Sequence, residues 1–123
     1  KNNVMKNFCH IILFSFLIFS SCKKDDNTNT VTYKIIETTP GASPYSVRYS
    51  LSDGTLRSEG PITSEIWMTA DMSGYKKNTI VSLYLDATSG TYDMIIYVNG
   101  SVSSQASADG GMGEQLLEAQ IPN

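Results

Sequence analysis

Beyond position 22 the chain contains neither cysteine nor histidine: its two cysteines are Cys9 and Cys22, and its single histidine is His10. Without a thiol in that stretch there is no disulfide, no cysteine nucleophile and no thiolate metal site. Without histidine the common nucleophile–histidine–carboxylate triads cannot be assembled, and a transition-metal site would have to be built from oxygen alone. Cations are scarce as well. From Val31 onward five basic residues (Lys34, Arg48, Arg57, Lys76, Lys77) face ten acidic ones, a net charge of −5 with no basic stripe. Nucleic acid is therefore not an expected partner, because phosphate binding needs clustered cations. These absences argue for a protein that is not an enzyme, with no cofactor and no metal.

What is present begins with grease. Phe8–Phe19 (FCHIILFSFLIF) is apolar apart from His10 and Ser15, but its twelve residues fall short of the about 20 that a spanning helix needs. Lys1 and Lys6 precede it and the small residues Ser20 and Ser21 follow, which is the layout of a secretory signal peptide over residues 1–21. Met5 is then the expected start, with residues 1–4 an extension. A general signal peptidase wants a small residue three places before the cleavage product, and Phe19 stands there. The context resembles the lipobox of bacterial lipoproteins instead, in which a bulky apolar residue precedes two small ones and a cysteine. That resemblance implies acylation of Cys22 as the mature N-terminus. Two acyl chains suffice for stable attachment, each buried CH₂ contributing about 0.8 kcal/mol.

The next four residues, Lys23, Lys24, Asp25 and Asp26, resemble the lysine-plus-acids sorting signal that sends lipoproteins to the cell surface in one group of Gram-negative bacteria. The location this implies is the outer membrane, lipid-anchored and displayed outward, with the periplasmic face as the alternative. A plainer reading makes the same residues a solvated tether. Residues 22–30 continue as a polar linker through Asn27–Thr30.

Residues 31–123 read as β-structure throughout, enough for one domain with a modest core. VTYKIIET (31–38) sets Val31, Tyr33 and Ile35 against Thr32 and Lys34, and SVRYSL (46–51) sets Val47, Tyr49 and Leu51 against Arg48 and Ser50. Asp53-Gly54 turns the chain into a return strand, TLRSE (55–59), closed by Gly60-Pro61. EIWMT (65–69) is a short strand, ADMSGYKKN (70–78) a polar loop, and TIVSLYLDA (79–87) a strand with Val81, Leu83 and Leu85 toward the core. TYDMIIYVN (91–99) is apolar on both faces and so belongs in the middle of a sheet. Asn99-Gly100 predicts a type I′ hairpin into SVSSQAS (101–107), ADGGMG (108–113) is a loop, and EQLLEAQI (114–121) a last strand. The expected fold is all-β: a single immunoglobulin-like β-sandwich of seven to eight short antiparallel strands.

Four pieces, VTYKI, SVRYSLSDG, the Ile66-Trp67 pair and IIYVNG, resemble in order and spacing the MmpS-type transport accessory proteins. Members of that family carry an immunoglobulin-like β-sandwich after a membrane segment, tend to have Pro-Trp where Ile66-Trp67 stands, and a strand ending in VDG where IIYVNG stands. The likeness runs over roughly Val31–Ala106 and implies the sandwich. It also implies partnership with an envelope exporter. Two departures weaken that second implication: a lipid anchor replaces the family's transmembrane helix, and the family's cysteines are missing.

Candidate recognition residues are Trp67, the sole tryptophan, and Tyr45 and Tyr75, which fall in loops or at strand ends; a lone tryptophan in a sandwich is otherwise core. Asp86 and Asp93 flank the TSG turn, and Asp109–Glu114 (DGGMGE) sets two acids around glycines. The first pair reads as solvated rather than catalytic. The second lacks the regular oxygen spacing of a calcium loop. The resulting expectation is a surface lipoprotein whose β-sandwich binds an envelope protein or an extracellular ligand; the alternative is an MmpS-like periplasmic accessory subunit of a transporter. Substituting Cys22→Ala should abolish acylation and move the protein out of the membrane fraction, read by lipid labelling and fractionation; a variant that stays membrane-bound and is processed as before contradicts the lipobox reading.

Overall fold

Period-two alternation of apolar and polar residues dictates two sheets that bury one face each. The computed structural model of the protein describes residues 28–42 and 44–123; the proposed signal peptide, Cys22 and the Lys23–Asp26 signal lie outside them. The described chain forms nine strands: β1 (Asn29–Glu37), β2 (Tyr45–Ser50), β3 (Leu56–Ile62), β4 (Ile66–Met68), β5 (Met72–Tyr75), β6 (Ile80–Asp86), β7 (Thr91–Val98), β8 (Ser101–Asp109) and β9 (Gln115–Gln120). The first sheet has the order β4-β1-β7-β8, with β5 also paired to β1. The second has the order β3-β2-β6-β9. All pairings are antiparallel, and the two sheets stack as a sandwich.

The core lies between them. Val31, Tyr33 and Ile35 from β1 and Tyr92, Met94, Ile96 and Val98 from β7 meet Val47, Tyr49, Val81, Leu83 and Leu85 from the other sheet. Those strand faces match the expected alternation, and β7 is central, between β1 and β8. Asn99 and Gly100 both take positive φ, 52° and 79°, the conformation a two-residue type I′ hairpin requires.

Three segments depart from expectation. Strand β1 starts at Asn29, so Asn29 and Thr30 belong to the sheet and not to the linker. Residues 72–75, read as polar loop, form β5: Met72 and Tyr75 pair with the first residues of β1 and lean on the core, a pull that outweighs Gly74 and the flanking polar residues. Strand β3 does not stop at Gly60-Pro61 but runs through a cis peptide there to Ile62. It is an edge strand, so the missing proline N–H breaks no ladder. Gly60 is required at that bulge, because a Cβ would meet the Ser46 side chain at 2.5 Å.

The core is rich in phenols, and each hydroxyl needs an acceptor. The Tyr33 and Tyr75 hydroxyls both donate to the Ser50 carbonyl at 2.8 Å, joining β1 and β5 of one sheet to β2 of the other. The Tyr45 hydroxyl donates to the Ser64 carbonyl at 3.2 Å. Burial raises the pKa of Tyr33, Tyr45, Tyr49, Tyr75 and Tyr92, pushing Tyr45 and Tyr49 up to about 12.

Two predictions follow from this packing. Leu83 is fully buried, so Leu83→Ala should lower unfolding free energy by about 2–5 kcal/mol. Leu116→Ala, at a half-exposed neighbour in register with Tyr84, should cost no more than about 0.5 kcal/mol in the same denaturant titration. Because the buried phenols keep their protons to a higher pH than they do in the unfolded chain, their contribution is whole below about pH 10 and lost as pH rises toward about 12. Denaturant titrations from pH 8 to 11.5 should show stability level at first and then falling; a rise above pH 10 would contradict the assignment.

Candidate functional site

The three-residue strand β4 sets up the most distinctive surface of the domain. Its register on β1 is Lys34↔Met68, Ile35↔Trp67 and Ile36↔Ile66. Ile35 is a core residue, so Trp67 turns inward with it, and alternation forces Ile66 and Met68 onto the outer face. The same face continues across the sheet. Lys34 is opposite Ile95, Ile36 opposite Asp93, and Thr32 opposite Tyr97; on β8, Gln105 stands opposite Ile95 and Val102 opposite Tyr97. Ile66, Met68 and Val102 are 57%, 57% and 53% exposed, while Ile95, at the centre, is 6% exposed although it belongs to the outer side and not to the core. Ile36 and Tyr97 are half-buried between them.

A polar clasp fixes this arrangement. The Trp67 indole Nε1 donates to Glu59 Oε2 at 2.8 Å, and the Tyr49 hydroxyl donates to Glu59 Oε1 at 2.8 Å. Glu59 stands on β3 of the second sheet, and Trp67 on β4 of the first, so one carboxylate ties the two edge strands. The Tyr49 ring packs against Trp67 at 5.5 Å and Tyr33 at 5.2 Å between centroids. Arg57 Nε approaches Glu59 Oε1 at 3.5 Å, with Arg57 well exposed and Glu59 partly so, which makes this ion pair worth little. Burial is the main cause of the high Tyr49 pKa, and the hydrogen bond to the Glu59 carboxylate adds to it.

The second sheet's outer face is mixed, with the exposed Ile80 and Leu116 beside polar residues such as Ser82 and Glu118. A cavity of about 250 Å³ there is bordered by Ser46, Arg48, Ser58, Tyr84, Asp86 and Glu114. The Arg48 guanidinium lies 4.5 Å over the Tyr84 ring and donates from Nη2 to Glu114 Oε1 at 2.6 Å. Its charge is thus met within the domain.

The residues singled out from the sequence fall as follows. Tyr45 and Tyr75 do stand at strand ends, the first residue of β2 and the last of β5, but each is 2% exposed with its ring in the core. Trp67 is half-buried and held by Glu59. Asp86 and Asp93 are not brought together. Asp86 lies on the second sheet, in register with Ser46, and Asp93 on the outer face of the first, accepting from Ser107 Oγ at 3.1 Å. The DGGMGE acids diverge as well: Asp109 caps the short 3₁₀ turn Gly110–Met112 by accepting from the Gly111 N–H, and Glu114 reaches Arg48. Among the described residues no three of His, Cys, Asp and Glu form a group able to hold a metal ion. No helix of the described residues is long and apolar enough to cross a membrane.

Ile66, Met68 and Val102 were not among the sequence candidates. The available signal was the alternation of EIWMT itself: once Trp67 is assigned inward, its neighbours must point out. No family model matches the chain, and no curated protein matches it either.

Replacing Glu59 by Gln leaves an acceptor for only one of the two aromatic donors. Charge-assisted bonds of this kind contribute about 1.5–3 kcal/mol where buried, and partial exposure of Glu59 reduces that to roughly 1 kcal/mol. A double-mutant cycle of Glu59→Gln with Trp67→Phe should show the two losses to be non-additive by a similar amount. Strict additivity would mean the clasp does not hold in solution.

Proposed function

We propose that this protein is a non-enzymatic, lipid-anchored lipoprotein of the outer membrane, whose β-sandwich serves at the cell surface as a binding module for another envelope protein. The observation that carries the reading is the outer face of the first sheet. Three exposed apolar side chains, Ile66, Met68 and Val102, share that face with Ile36, Ile95 and Tyr97, and with the polar Lys34, Asp93 and Gln105. Exposed hydrophobes gathered on one sheet face are characteristic of interaction surfaces. Methionine and tyrosine suit such a surface, since one adapts its shape and the other combines apolar area with a polar tip. The anchor and the sorting signal rest on the resemblance of residues 19–26 to lipoprotein leaders.

A second reading, an accessory subunit of a periplasmic transport or export complex, is favoured by the placement of the four MmpS-like pieces. They fall on β1, on β2 with its following turn, on β4, and on β7 with the Asn99-Gly100 turn, so the likeness follows the framework of the fold. Protease treatment of intact cells separates the two readings. Surface display predicts cleavage of the protein without cell lysis; complete protection, with cleavage only after the outer membrane is opened, supports the accessory subunit.

The binding role has its own test. The pair Ile66→Glu and Met68→Glu should leave the melting temperature within a few degrees, since both side chains are more than half exposed, yet remove the protein from any larger envelope species seen on native gels after mild solubilisation. If the larger species persists unchanged, the binding face lies elsewhere.

A further inference from the structure

The strands give the domain two distinct ends. At one end lie the start of β1, the 51–55 turn, residues 76–79, the Asn99-Gly100 turn and the chain after β9; Asn99 and Thr30, and Asn78 and Asn123, are hydrogen-bonded there. At the other end lie residues 38–42 and 44 and the segments 63–65, 87–90 and 110–114. Charge is divided unevenly between them. Among the described residues, seven of the ten acids from Val31 onward, from Glu37 and Glu65 to Asp109 and Glu114, stand in the half toward the second end with Arg48 as its only cation, Glu59 lying near the midline paired with Arg57. In the other half three acids are balanced by Arg57, Lys76 and Lys77, and Lys34 sits near the midline. The extreme surface of the first end carries Lys76 and Lys77, both exposed, with Ile80 at 63% exposure and the single carboxylate of Asp53 beside Lys76.

We infer that the Lys76–Lys77–Ile80 end is a membrane-contact surface, which rests against the anionic phosphate headgroups of the leaflet holding the anchor, and that the acidic end points away. The inference rests on the lipid attachment at Cys22 proposed above. Six residues separate Cys22 from Asn29, so the tether spans at most about 25 Å. The nine residues of β1 alone extend about 27 Å. The tether enters at the lysine end, and its length is too short to let the acidic end swing down to the surface. Electrostatics acts in the same sense: the acidic half is repelled by an anionic leaflet, while each lysine near such a surface favours contact about fivefold. An exposed isoleucine beside paired lysines is also the composition of interfacial contact. Lying flat on the apolar face of the first sheet is the competing orientation, and it would bring Lys34 to the lipid instead.

The test imposes the tether, so that it does not depend on acylation in cells. Among the described residues every strand and core residue lies within 29–121, so the chain from Cys22 to Asn123 contains both described sheets and has Cys22 as its single cysteine. Coupled through that thiol to a maleimide lipid in phosphatidylglycerol vesicles, the protein is treated with an amine-acylating reagent and the rate at each lysine is read by mass spectrometry. Relative to the uncoupled chain in solution, Lys76 and Lys77 should be slowed about fivefold or more, with Lys34 unchanged, and phosphatidylcholine vesicles should give a smaller effect. Undiminished rates at Lys76 and Lys77, or protection of Lys34 in their place, would overturn the inference. Failure of the anchor reading shows separately, as an unacylated Cys22 in protein recovered from cells.

Discussion

The single carboxylate of Glu59 braces β4 in the orientation that its register on β1 gives it. A three-residue strand at a sheet edge has little pairing of its own to hold it, and a one-residue slip would exchange its two faces. By accepting from the Trp67 indole and the Tyr49 hydroxyl together, Glu59 keeps the tryptophan inside. Alternation then sends Ile66 and Met68 outward beside Ile36 and Lys34. The proposed binding face is therefore a consequence of an interaction on the opposite side of the same strand. The aromatic that looks like a recognition anchor works as the fixed point from which smaller apolar neighbours are displayed.

The core obeys the same economy. Tyrosine supplies bulk where a short sandwich needs it, and its hydroxyl finds a carbonyl at the margin: Tyr33 and Tyr75 at Ser50, Tyr45 at Ser64. These bonds join the sheets at one end and pin the chain before β4 at the other. No buried side-chain nitrogen or oxygen among the described residues is left without a partner.

Much of this was legible in the sequence. The alternation of Val31-Tyr33-Ile35, of Val47-Tyr49 and of Val81-Leu83-Leu85, the two-sided apolarity of 91–99 and the Asn-Gly turn identify five strands and the central position of β7, because pleat and turn chemistry are local. The strand β5 was not legible, since MSGY becomes a strand only by completing the edge of β1, and that edge is set by residues some forty positions away. Tyr45 and Tyr75 looked displayed because strand ends usually meet solvent. Their burial depends on carbonyl acceptors 19 and 25 residues distant in sequence, which no local pattern announces. The clasp of Glu59 was invisible for the same reason. The outer face could have been read from EIWMT, had tryptophan been given the inward position that its size favours.

The domain is a nine-strand sandwich with most of its acids toward one end and exposed apolar side chains on the outer face of its first sheet. The proposed binding role requires that this face meet another protein. The most direct measurement places a photo-crosslinking amino acid at Met68 in one strain and at Leu116, on the outer face of the second sheet, in another, and irradiates living cells. The account predicts a discrete crosslinked envelope protein from position 68 and none from position 116. Crosslinking from 116 alone, or from neither position, would contradict it.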